Sequence, residues 1–144
     1  MICLVLTGRT IEENISQCER NRMYIDLAEL RVDLIGEEQR DRVPLFPSLV
    51  DMPVILTCRR PNDGGAYEGT EKNRLALMES CLEGAFAYID IEEDVKRSAA
   101  ETKARERGVR IIRSLHDFSG IPADIFHKIS RIAAKGDIPK MAVT

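Results

Sequence analysis

No two of the four cysteines, Cys3, Cys18, Cys58 and Cys81, lie within four residues of each other. That spacing excludes a CxxC metal or redox pair. Cys3, Cys58 and Cys81 stand among apolar neighbours and are expected to be small core residues with reduced thiols, in keeping with a cytoplasmic setting. Nor is there a long apolar run: nothing approaches the ~18 residues of a membrane span. The opening Met1-Ile2-Cys3-Leu4-Val5-Leu6 lacks a basic start and is too short for a signal peptide. No membrane partner is expected. An excess of positive charge is missing too, with a net charge of -3 and a pI near 5.5. The densest basic group, Lys103, Arg105, Arg107 and Arg110, is interleaved with Glu101 and Glu106 and reads as a solvated helix face. A nucleic-acid partner is therefore not expected. The glycine-bearing segment Asp63-Gly64-Gly65 follows an apolar run but completes neither GxGxxG nor GxxxxGK[ST]. Dinucleotide and P-loop chemistry lose their support. Internal repeats and low-complexity segments are absent as well.

What is present is an ordinary globular composition. The 144 residues are 44% hydrophobic and 31% charged, enough for one domain with a core. Short apolar, β-branched runs recur at Ile2–Leu6, Tyr24–Leu34, Pro53–Cys58, Ala87–Ile91, Val109–Leu115 and Ile138–Val143. Several are apolar on nearly consecutive positions, as parallel strands covered on both faces require. Helical patterns alternate with them. Ile11, Ile15 and Cys18 share a face, as do Leu75, Met78 and Leu82 below a capping Thr70. A charged helix is expected from Val95 and Ala99 to Gly108, and another, bearing Ile125, Ile129 and Ile132, between Pro122 and Gly136. Region 36–52, with Pro44 and Pro47, suits a short helix or an irregular crossover.

This βαβ alternation implies an α/β fold with a parallel sheet and right-handed crossovers. An open doubly wound sheet and a (β/α)8 TIM barrel both satisfy it. Glu29, Arg31, Arg59, Asp90, Glu92, His116, Asp117 and Lys140 lie on or at the ends of different strands. A barrel gathers strand ends into one site, so their dispersal favours the barrel. Only six strands are counted, so residues 1–144 are expected to form a single partial barrel domain lacking the last two strands of the eight.

Lys140 is a lone amine inside the apolar segment Ile138-Pro139-Lys140-Met141-Ala142-Val143. Burial penalises an ammonium, and a neutral amine can attack a ketone to form a Schiff base. A strand-end lysine with its head group in water is the plain alternative. His116, in Ser114-Leu115-His116-Asp117-Phe118, ends a strong strand pattern and suits proton transfer near neutrality. His127, inside a helical pattern, reads as a surface residue. Glu29 and Arg31 alternate with Leu30 and Val32, so they point to one side of a strand, towards a polar cavity or a pairing partner. Arg59 follows Leu56-Thr57-Cys58 at another strand end, where a guanidinium suits hydroxyl or carboxylate groups.

Taken together, Glu29-Leu30-Arg31-Val32-Asp33, Thr57-Cys58-Arg59-Arg60 with Asp63-Gly64-Gly65, Ser114-Leu115-His116-Asp117-Phe118 and Ile138-Pro139-Lys140-Met141-Ala142-Val143 resemble type I 3-dehydroquinate dehydratase. The resemblance spans essentially the whole chain. It implies a (β/α)8 barrel that dehydrates a small molecule, 3-dehydroquinate, to 3-dehydroshikimate in the shikimate pathway, without metal or organic cofactor. Lys140 matches the Schiff-base lysine and His116 the general acid/base. Glu29, Arg31 and Arg59 match residues that hold substrate hydroxyls and order the site. Asp63 stands where many members carry a glutamate that orients the histidine. The family's substrate contacts from its last two strands, an arginine, a serine and a glutamine, have no counterpart here, so weak binding and poor turnover are expected of this chain alone. A class I aldolase-like Schiff-base lyase shares the strand-six lysine, but the His-Asp-Phe segment and the Glu-x-Arg strand favour the dehydratase. A non-catalytic fragment is the third reading. Unpaired sheet edges would drive it to self-associate, for instance as a homodimer.

Overall fold

The computed structural model describes residues 1–143. Six strands form one sheet: β1 (Cys3–Leu6), β2 (Leu27–Arg31), β3 (Val54–Thr57), β4 (Tyr88–Glu92), β5 (Arg110–Asp117) and β6 (Ile138–Val143). Helices α1 (Ile11–Asn21), α2 (Phe46–Leu49), α3 (Glu71–Cys81), α4 (Ala99–Glu106) and α5 (Ile125–Ala133) lie between them. Every neighbouring pair is parallel and the spatial order is β1-β2-β3-β4-β5-β6. A doubly wound sheet reverses its order at a switch point, whereas a barrel adds each strand beside the last. The order therefore selects the barrel.

Curvature follows from one distance. In a flat sheet with strands about 4.8 Å apart, β2 and β6 would be separated by about 19 Å. Yet Lys140 Nζ on β6 lies 3.1 Å from Glu29 Oε2 on β2. The sheet must curl for those groups to meet, and the six units form an open barrel wall.

The outer face carries the main core. Ala28, Leu30, Val54, Leu56, Ile89, Ile91 and Ile111 pack under the helices with Ile11, Cys18, Phe46, Met78 and Leu82. On the inner face Leu27, Ile55 and Ile112, flanked by Tyr88 and Ile138, make an apolar floor. Two residues further along those strands stand Glu29, Thr57, Asp90, Ser114 and Lys140, which form a polar layer above it.

Local chemistry fixes the helix starts. Thr10 and Glu13 close a capping box on α1, and Thr70 and Ser98 cap α3 and α4. Four expectations change. The strand expected over 24–34 ends at Arg31, because Asp33 draws the chain into a 3₁₀ turn at Val32–Leu34. The charged helix starts at Ala99 rather than Val95, set by the Ser98 cap. Its Glu101 is buried, not solvated, because Arg113 of β5 reaches it at 2.9 Å. Cys3 is exposed on the edge strand, whereas Cys18, Cys58 and Cys81 are buried, all as free thiols. Region 36–52 resolves into a 3₁₀ segment, Glu37–Leu45, followed by α2.

Candidate active site

Four charged side chains from four strands or strand ends meet above the apolar floor. Lys140 Nζ donates to Asp90 Oδ2 at 2.8 Å and to Glu29 Oε2 at 3.1 Å. Arg59 Nη2 donates to the same carboxylates, at 3.0 Å to Asp90 Oδ2 and 3.1 Å to Glu29 Oε1. Ser114 adds a hydrogen bond to Asp90 Oδ1 at 2.5 Å. Two cations and two anions alternate, so the cluster is neutral as a whole and each buried charge has a partner.

This pairing decides the state of the lysine. Burial alone pushes the Lys140 pKa down, but Asp90 and Glu29 outweigh it and the net shift is upward. The sequence-based expectation that burial would neutralise the amine is thus reversed, for a reason only the fold supplies: β2 and β4 bring two carboxylates to β6. Asp90 moves the opposite way. Burial would raise it, but Lys140 and Arg59 hold it below the usual carboxylate range.

His116, on β5, is in the complementary condition. Burial lowers its pKa first, and the Arg59 charge adds to that, against opposing pulls from Asp90 and Asp63. A pKa held below 6.5 favours the neutral ring at pH 7. Among the described residues, neither Nδ1 nor Nε2 has a hydrogen-bond partner, although both are buried. Arg59 Nε and Thr57 Oγ1 are buried and unpaired in the same sense. Leaving such groups unmet costs about 1–3 kcal/mol each. They are the atoms available to a polar ligand.

Asp63 approaches but does not reach the imidazole: its Oδ1 is 3.8 Å from His116 Nδ1, beyond hydrogen-bond range. Its Oδ2 is taken by Arg60 Nε at 2.8 Å. Arg31 stands apart from the four-charge cluster. Its guanidinium is engaged by Asp33, at 2.9 and 2.6 Å, rather than by Glu29 on its own strand. Asp33 also accepts from the backbone N–H of Arg59 (3.1 Å) and of Ala66 (3.0 Å). Arg31 and Asp33 therefore hold both ends of the loop that carries Arg59 and Asp63. Asp117 turns away, to Ser119 and Lys128, and His127 is exposed.

The sequence reading placed Lys140, His116, Asp63, Glu29, Arg31 and Arg59 in one site; the structure joins Lys140, Glu29 and Arg59 directly, sets Asp63 3.8 Å from His116, and turns Arg31 to Asp33. Asp90, noted only as a strand-end charge, proves central, and Ser114, Asp33 and Arg60 were not singled out. Asp90 had a readable signal: an acid between Ile89 and Ile91 in a covered strand needs a cation.

Fold and side chains together define a parallel (β/α) barrel wall with a carboxylate-paired lysine at its strand ends. Residues 2–144 match the type I 3-dehydroquinase family, and the chain belongs to that family. It is 31% identical over 121 residues to a 3-dehydroquinate dehydratase of Coxiella burnetii (strain CbuK_Q154), covering 84% of this chain and 51% of that protein. With the 3-dehydroquinate dehydratase of Methanocaldococcus jannaschii it shares 28% identity over 147 residues, covering 99% and 66%. The solved 3-dehydroquinate dehydratase from Enterococcus faecalis superposes with a TM-score of 0.85 at 27% identity, over 99% of this chain and 65% of that one. The chain spans about half to two-thirds of the length of the relatives it matches.

Proposed function

We propose that this chain carries the Schiff-base centre of a 3-dehydroquinate dehydratase, acting on a small-molecule substrate in the shikimate pathway, in the cytoplasm, without metal or organic cofactor. The observation that carries the reading is the Lys140 amine, seated between Glu29 and Asp90 beside an unpaired, neutral His116. Lys140 passes a proton to neutral His116, which returns it when the carbinolamine loses water, and Nζ attacks the substrate ketone. The carbinolamine loses water to give an imine. Neutral His116 then takes a proton from the neighbouring carbon, and the imine nitrogen accepts the electron pair released. Expulsion of the hydroxyl one carbon further on, with a proton from His116, forms the double bond. Hydrolysis returns the amine and frees the product. Glu29 and Arg59 hold substrate hydroxyls, Asp63 bears on His116 through its charge rather than by a hydrogen bond, and Arg31 orders the loop.

The same reading makes residues 1–143 six units of an eight-stranded barrel. Closure between β1 and β6 requires two further strands, whose loops would add substrate contacts. The 144-residue chain by itself is then expected to bind substrate weakly. The test is the conjugated product, followed by its ultraviolet absorbance with 3-dehydroquinate, on this chain and on one extended by two βα units. Activity is expected in the extended chain, with loss of at least ~10³-fold in Lys140→Ala. A Lys140→Ala protein that keeps its rate would overturn the reading.

A further inference from the structure

The strongest unassigned feature lies behind the site, in the loop after β3. Arg60 spreads its guanidinium over two carboxylates: Nε on Asp63 Oδ2 at 2.8 Å and Nη2 on Asp94 Oδ1 at 2.9 Å, with Glu71 Oε1 at 4.0 Å. The Arg60 side chain is only 25% exposed and Asp63 14%, so this is not a freely solvated surface pair. The backbone beneath is fixed. Asp63 N–H donates to Arg60 O at 3.1 Å and Gly65 N–H to Arg60 O at 2.8 Å. Gly64 takes φ 77°, and a Cβ there would come within 2.9 Å of the Phe118 ring. Asp33 ties down Arg59 and Ala66 on either side. With the loop held, what remains free to decide where the Asp63 carboxylate points is its own side-chain rotation, and Arg60 holds that.

We propose that Arg60 is a positioning residue: by gripping one carboxylate oxygen of Asp63, it keeps the other out of hydrogen-bond reach of His116 and so leaves the imidazole without a carboxylate partner. The inference rests on His116 being the proton-transfer group of the proposed reaction. A neutral imidazole is the form that can take the proton Lys140 must lose. The groups that bear on His116 are Arg59 and Asp63 from β3 and its loop, Asp90 from β4 and Lys140 from β6. Of these, Asp63 is the one whose distance Arg60 sets. Those bearing on Arg60 are Asp63, Asp94, Glu71 and Glu92.

The experiment is an NMR titration of the His116 ring in the 144-residue chain without substrate. His127 is the only other histidine and, being exposed, serves as an internal reference. Arg60→Gln frees Asp63 to turn onto Nδ1, and the His116 midpoint is expected to rise by about one pH unit. In Asp63→Asn, adding Arg60→Gln is expected to leave the midpoint nearly unchanged. Arg60→Lys, which keeps the charge but cannot fork over two carboxylates, should fall between wild type and Arg60→Gln, and it stands in if Arg60→Gln does not fold. In an active chain, the acidic limb of the kcat profile moves with the midpoint. No rise in Arg60→Gln, or an equal rise in the Asp63→Asn background, would overturn the proposal. The latter would mean that only the loss of a nearby cation is felt. Because the titration needs no substrate, its failure is separable from a failure of the Schiff-base reading.

Discussion

Lys140 carries its proton because Asp90 and Glu29 together outweigh the cost of its burial. Asp90→Asn removes the nearer of the two, at 2.8 Å, and is expected to lower the pH at which the amine becomes reactive. An amine-acylating reagent, with Lys140 followed by peptide mass across pH, measures this; an unmoved midpoint would contradict the pairing. Other residues set the acid stability. Burial would raise Asp33 and Asp90, but Arg31 for the first, and Lys140 with Arg59 for the second, hold both below the ordinary 3.8. What they contribute is fully present above pH 3.8 and is lost as pH falls through their lower folded values. His116, depressed below 6.5 by burial and by Arg59, takes a proton more readily unfolded than folded, so stability already declines as pH drops below 6.5. The melting temperature is therefore expected to fall below pH 6.5 and steepest below about pH 4, and Asp33→Asn should flatten the lower part. A melting temperature that stays level across that range would count against these assignments.

At the scale of elements, the strands were legible because both faces are covered, which makes Val54–Thr57 or Tyr88–Glu92 nearly continuous apolar runs broken only by Thr57, Asp90 and Glu92. The end of β2 was not legible: Val32 and Leu34 continue the apolar pattern, while the turn depends on hydrogen bonds that Asp33 accepts from residues 26 and 33 positions away. Lys140, His116, Arg59, Glu29 and Asp90 were readable as a set from their strand ends, but which of them pair across the barrel was not, because curvature leaves no trace in periodicity. Charges beneath the helices were the hardest. Arg74 looks like any helix arginine, yet it is fully buried, held by Glu71 and Glu92 at 2.8 Å each and by the Cys58 carbonyl. It joins α3 to β4 and to the residue before Arg59. Arg74→Met leaves Glu92 buried without its cation and is expected to cost about 3–5 kcal/mol in denaturant unfolding. A loss under about 1 kcal/mol would mean the ion pair adds little beyond packing.

For the whole molecule, the open edges are the governing fact. β1 and β6 each pair on one side only among the described residues, and Ile2, Val5, Ile121 and Phe126 are exposed. Edges and apolar surface of that kind favour association. Sedimentation of the 144-residue chain is expected to show concentration-dependent species above 16.2 kDa, and a chain extended by two βα units should lose that dependence. A monomer at all concentrations would argue that the edges are protected by their own twist or charge.

The central claim is that Lys140 forms an imine with a keto substrate. The most direct measurement is to incubate the protein with 3-dehydroquinate, reduce with borohydride, and locate any added mass on peptides. An adduct on Lys140, in this chain or in one extended by two βα units, and its loss in Lys140→Ala, is the predicted result. No adduct in either chain, or an adduct on another lysine, would contradict the account and leave Lys140 as a buried charge that only ties β6 to β2 and β4.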